Sequence, residues 1–177
     1  MASDATLSVF HLMSWGGYGP VAARKVVAWA SAHSLSVERV IAEPSMLAEA
    51  VGRPISKSVR RDDEKAKTRV EKLEEAGISF VSVADKEYPE RVRSVLGDAA
   101  PPVLSFQGNL GLLGGLSVGF CGSRKASERG LKAATDCAGA LARQDVAIVS
   151  GYAAGVDTTA HRTALAAGGT TVAVLAK

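Results

Sequence analysis

Apolar and polar positions change their spacing along the chain, and the changes mark out its elements. Behind Pro20, a residue suited to the first position of a helix, Val21, Val26, Val27 and Ala30 recur at helical spacing. The whole stretch 5–52 is Ala-rich and reads as short helices, with Gly16, Gly17 and Gly19 forming a turn between two of them. Residues 78–83 alternate as a strand does, 88–96 read as a short helix opened by Pro89, and 101–108 are extended, because a residue before proline is pushed out of the helical region.

From Leu116 onward the pattern is β-α-β-α-β. Strands are predicted at 116–121, 146–150 and 171–176, and helices at 127–144 and 157–167. Leu131, Ala134, Ala138 and Leu141 line one stripe of the first of these helices. Such alternation predicts an α/β fold with a parallel sheet and right-handed crossovers, the first and second strands being neighbours. The apolar runs 146–150 and 171–176 predict helices on both sheet faces. Three parallel strands make the first half of a doubly wound sheet, which is expected to be completed by further sequence, a partner chain or a second copy. The composition shift puts a boundary after residue 76, with a helical domain at 1–76 and an α/β domain at 77–177.

Composition refines this picture. Of 177 residues, 47% are hydrophobic and only 5% aromatic, so the core must be built from Ala, Val, Leu and Ile, with Trp15 and Trp29 expected to anchor the small helical part. The net charge of +3 is compatible with an anionic partner and too weak to indicate one. In the charged stretch 53–76, Arg53, Lys57, Arg60, Arg61, Lys65, Lys67, Arg69 and Lys72 stand against Asp62, Asp63, Glu64, Glu71, Glu74 and Glu75. Signs this balanced favour a solvated helix with i,i+4 pairs over a nucleic-acid patch. Cys121 and Cys137 form no disulfide framework or metal spacing, which favours a reduced, intracellular compartment. The uncharged window 99–123 contains Pro101, Pro102 and six glycines, so a membrane-spanning helix there would be broken repeatedly.

The candidate chemistry lies in two turns. Gly122-Ser123-Arg124-Lys125 follows the first strand of the β-α-β-α-β region, and Gly151-Tyr152-Ala153-Ala154-Gly155-Val156-Asp157 follows Ser150 at the end of the second. Open parallel sheets bind ligands at the carboxyl ends of their strands, where small residues and helix N-termini favour an anion. Ser123 and Ser150 would add hydroxyls, and Arg124 a fork suited to phosphate oxygens. A dinucleotide cofactor is disfavoured: the glycine spacing is wrong and no acidic residue ends the second strand. No P-loop run exists either, so no cofactor is expected. Asp157 and His161 share a helix face near Ser150, but nothing local orients them as a catalytic triad. Asp157 is expected to cap its helix, His161 to face the glycine turn as a hydrogen-bonding residue, and Cys121 to be a small buried hydrophobe. No catalytic or metal-binding residue is assigned, and His11 and His33 receive no role.

On these residues the chain resembles the DprA/Smf family of bacterial DNA-processing proteins. The resemblance rests on Gly122-Ser123-Arg124, on the run from Ser150 to His161, which is similar to the family's S-G-x-A-x-G-[IV]-D-x-x-A-H, and on Gly168 to Leu175. Upstream, Tyr88 to Arg93, Pro101 to Leu104 and Gly108-Asn109 resemble the segment leading into the family's Rossmann-like domain. Gly17-Tyr18-Gly19-Pro20 resembles its SAM-like domain more weakly. The resemblance implies a cytoplasmic, non-enzymatic protein that binds single-stranded DNA and loads RecA onto it during natural transformation and recombination, usually as a homodimer. Carried over by position, Gly122, Ser123, Arg124, Ser150, Gly151, Ala153, Gly155 and Asp157 would line the phosphate-binding pocket. The family's domain continues past the third strand, and its later basic motif and dimer surface have no counterpart here. Two other readings stand beside it: a nucleotide-binding or nucleotide-hydrolysing Rossmann-like relative of phosphoribohydrolase type, and a structural or interaction module without DNA binding.

Overall fold

The computed structural model describes residues 1–55 and 63–175. Lys57, Arg60, Arg61 and Asp62 of the charged stretch, and Ala176 at the end of the last strand, lie outside the described residues. The chain divides into two compact units, Met1–Gly108 and Asn109–Lys177, so the composition shift after residue 76 falls inside the first.

The first unit contains α1 (Asp4–Ser14), α2 (Pro20–Ala32), α3 (Val37–Ala42), α4 (Pro44–Val51), α5 (Asp63–Glu75), β1 (Ser79–Ser82), α6 (Glu90–Leu96) and β2 (Val103–Phe106). Local chemistry starts the helices. Ser3 and Ser36 cap α1 and α3 by accepting the amides of Thr6 and Arg39, and Pro20 and Pro44 open α2 and α4. The core collects Val9, Leu12, Val26, Val40 and Leu47, all fully buried. Trp15 is buried edge-on to Tyr18, whereas Trp29 is half-buried and stacks on His33. Val21 is 61% exposed, off the stripe assigned to it, because α2 turns Ala22, Ala23, Val26 and Ala30 inward. β1 and β2 form a separate antiparallel pair. In β1 the consecutive residues Phe80, Val81 and Ser82 are all buried, so its burial does not follow the alternation of its sequence.

The second unit is the expected α/β arrangement: β3 (Ser117–Gly119), α7 (Glu128–Ala142), β4 (Ala147–Ser150), α8 (Val156–Ala166) and β5 (Thr171–Ala173), with a parallel sheet ordered β3-β4-β5. Val118 pairs with Ile148, and Val149 with Val172. Its core is small, with Ile148 against Ala138, Ala142, Ala160 and Ala164, and with Phe120 and Leu141 packed beside them. Right-handed crossovers taken in strand order place α7 and α8 on one face of the sheet. On the other face, Val149 and Val172 of the apolar runs are half-buried and Val174 is 62% exposed, so among the described residues this face is not fully covered as those runs predict. Among the described residues, no helix is long and apolar enough to cross a membrane.

Candidate anion-binding site

Because β3 and β4 are adjacent, the turns leaving their carboxyl ends meet. The Val156 amide donates to the Ser123 carbonyl at 3.3 Å, joining the start of α8 to the first turn. Two glycines permit the approach. A Cβ on Gly122 would stand 2.6 Å from the Val156 side chain, and one on Gly155 would run into the Ser123 and Arg124 carbonyls. Gly155 also has φ +85°, in the left-handed region that glycine occupies without a steric cost.

Inside the second turn the polar side chains hold the backbone. Ser150 Oγ receives the Tyr152 amide at 3.2 Å and lies 2.7 Å from His161 Nε2. Asp157 Oδ2 receives the Ala153 amide at 3.4 Å, and Thr158 Oγ1 donates to the Ala153 carbonyl at 2.6 Å. Ser150, Asp157 and His161 are 7%, 8% and 2% exposed, so they shape the turn from beneath. Ser150 therefore does not offer its hydroxyl outward, as its sequence position suggested. Asp157 does not occupy the helix cap either; Gly155 does, and Asp157 sits in the first turn. Burial lowers the His161 pKa from 6.5, with the nearby Asp157 charge opposing the shift, which leaves the imidazole neutral at pH 7.

Among the described residues, the amides of Ser123, Arg124, Ala154 and Gly155 meet no protein acceptor. Ser123 Oγ accepts the Lys125 amide at 3.1 Å, and the side chains of Arg124 and Lys125 are exposed. The helices beginning nearby, α7 and α8, direct the positive ends of their dipoles to this edge. Free amides from two touching turns, with a guanidinium beside them, can cradle an anion. All eight residues carried over by motif lie in or directly beside these turns: Gly122, Ser123, Arg124 and Gly155 at the contact, Ser150, Gly151, Ala153 and Asp157 within the second bend.

The pairing of Ser150 with His161 is absent from the set of residues assigned by motif, as is Tyr152, which takes φ +57° and leaves its ring half exposed, 5.3 Å from the imidazole. The spacing of Asp157 and His161 signalled that His161 faces the turn, but its partner comes from a different element. The hydrogen bond Asp157 accepts comes from Ala153, so a serine–histidine–aspartate relay lacks its third link. Cys121 is exposed rather than buried, since the strand pairing around it ends at Phe120.

A three-stranded parallel sheet with its helices and an amide-lined edge defines the second unit as a Rossmann-like α/β structure. Residues 79–177 match the model of the family described as DNA recombination-mediator protein A, and the chain belongs to this family. It is 39% identical over 94 residues to the DNA processing protein DprA of Streptococcus pneumoniae, covering 53% of this chain and 32% of that protein. It is 29% identical over 150 residues to DprA of Bacillus subtilis, covering 76% and 49%. The X-ray structure of DprA from Streptococcus pneumoniae superposes with a TM-score of 0.69 at 26% identity, covering 99% of this chain and 58% of that one. The chain thus spans half or less of the length of these curated relatives.

Proposed function

We propose that this chain is a DNA-processing protein that binds single-stranded DNA through the phosphate backbone and acts in recombination and natural transformation by handing the strand to RecA. It works by binding rather than catalysis, in the cytoplasm, with a homodimer as the functional form. One observation carries the reading: the turns after β3 and β4 touch, and each leaves main-chain amides free beside Arg124. Family membership and the names of the DprA relatives support the DNA-processing role. A polyanion gripped by amides and one guanidinium is bound with little regard to base sequence, as a protein handling arbitrary strands requires.

Titration of labelled oligothymidine, with AMP in a parallel series, tests this. Binding of the oligonucleotide should weaken as salt is added, and Arg124→Ala should lower affinity roughly tenfold while reducing the salt slope by about one counterion. Tight AMP binding without oligonucleotide binding would replace this reading with that of a nucleotide-handling enzyme. Binding of neither would leave a structural module.

A further inference from the structure

The buried imidazole of His161 is the one titratable group beneath the turns to which the proposed phosphate contacts assign no task. Ser150 Oγ already receives the Tyr152 amide on one lone pair, and its hydroxyl proton has an acceptor in reach at His161 Nε2, 2.7 Å away. An Nε2 that accepts is unprotonated, which puts the ring proton on Nδ1. The chain of contacts then runs from His161 through Ser150 to the Tyr152 backbone. Tyr152 is the residue that needs holding. It is not glycine, yet it has φ +57°, a conformation that persists only where neighbours enforce it. Its ring also lies against the imidazole, tilted by 60°.

We infer that His161 is a positioning residue of the candidate site: acting through Ser150, it locks Tyr152 in the left-handed conformation and so fixes the bend that presents the Ala154 and Gly155 amides. The inference deepens the single-stranded DNA reading and rests on it for its functional half. His161 touches no ligand itself, since it is 2% exposed beneath the turn. An apolar ring of similar size in place of His161 would keep the packing and strand the Ser150 hydroxyl, whereas a Gln side chain can bring an amide oxygen to the place of Nε2 and accept the same proton.

The test uses the full chain and three proteins: wild type, His161→Phe and His161→Gln. In the wild type, nitrogen-15 spectra of the imidazole should show the Nδ1–H tautomer at neutral pH. His161→Phe should shift the Tyr152 amide resonance and weaken oligothymidine binding roughly tenfold, the size of one lost buried hydrogen bond. Its salt slope should stay at the wild-type value, because no phosphate contact is removed, in contrast to Arg124→Ala. His161→Gln should restore the Tyr152 resonance and bring affinity back to within about twofold of wild type.

An Nε2–H tautomer, an unmoved Tyr152 resonance in His161→Phe, or no rescue by Gln would overturn the inference. So would a salt slope reduced as in Arg124→Ala, which would make His161 a direct phosphate contact. Covalent labelling of Ser150 by a fluorophosphonate would make the pair a nucleophile and its base instead. If His161→Phe fails to fold, the tautomer and the Gln variant still decide. A wild type that binds no oligonucleotide would remove the DNA-binding reading, while the tautomer and the Tyr152 resonance, both read without DNA, would still judge the positioning role.

Discussion

The two units reach order by opposite means. In Met1–Gly108 large side chains fill the interior: Leu12, Val26, Val40 and Leu47 have no exposure, and rings at Trp15, Tyr18 and Phe80 close the edges. In Asn109–Lys177 the buried core is four alanines around Ile148, and main chain approaches main chain where Gly155 meets the Ser123 carbonyl. The first arrangement fills its interior with large apolar side chains; the second brings main chain close to main chain. Close backbone approach requires small residues, and small residues bury little, so the unit with the candidate site is also the one with the sparser core. The denser core and the candidate site thus lie in different units of this chain.

The largest effect expected from this contrast is in the helical unit. Leu47→Ala removes a fully buried side chain and should cost about 2–5 kcal/mol, with the upper end reached if the neighbours cannot close the cavity. Both tryptophans, Trp15 and Trp29, belong to this unit, so tryptophan fluorescence in urea follows its unfolding selectively. The fluorescence midpoint should fall sharply while amide exchange in α7 and α8 keeps its wild-type protection. Loss of protection in those helices in step with the fluorescence would show one cooperative block and break the comparison.

A smaller loss should follow from the second unit's own device. Gly155→Ala puts a Cβ against the Ser123 and Arg124 carbonyls at φ +85°, so the turn-to-turn contact has to open. The expected cost is about 1–3 kcal/mol, within the range for overpacking. Exchange at the Val156 amide should accelerate and oligonucleotide binding should collapse, with the tryptophan transition unmoved. Retention of full binding would show that the contact between turns is not what presents the free amides.

How much of this was legible in the sequence depends on the range of the interaction. The β-α-β-α-β order, the Ser127 start of α7 and the adjacency of β3 and β4 follow from local periodicity and crossover handedness, and they stand in the structure. The strand at 79–82 was legible too, but its pairing with 103–106 joins segments that no local period connects. The misplacement of Val21 has a similar origin, since which stripe of an Ala-rich helix turns inward is set by α1, α3 and α4 rather than by α2. At the site, glycine spacing located the turns, while the link from Ser150 to His161 crosses eleven residues and depends on how α8 returns over the sheet. The inward aim of Ser150 and Asp157 was illegible for the same reason: motif spacing locates residues but not the side of the bend they face.

The smallest expected effect concerns what ties the first unit's strand pair to its helices. Asp85 Oδ2 receives the Ser82 amide at 2.6 Å and the Ser82 hydroxyl at 2.8 Å, and Ser3 and Thr6 at the start of α1 donate their hydroxyls to the same carboxylate. Burial by itself would raise the Asp85 pKa, but these hydrogen bonds outweigh it and hold the group below 3.8. The unfolded chain therefore binds a proton at Asp85 more readily than the folded one. The carboxylate's contribution is complete well above pH 3.8 and is lost as the pH falls through 3.8 to the lower folded value. Asp85→Asn cannot accept all of these donors and should unfold at slightly lower urea than wild type at about pH 6, with the gap narrowing as the pH is taken down through that window. The tryptophan transition should register the change and exchange in α7 and α8 should not. A gap that stays constant through the acid range would show that the Asp85 charge adds nothing to the first unit, leaving its large-residue core to carry that unit's stability without this tie.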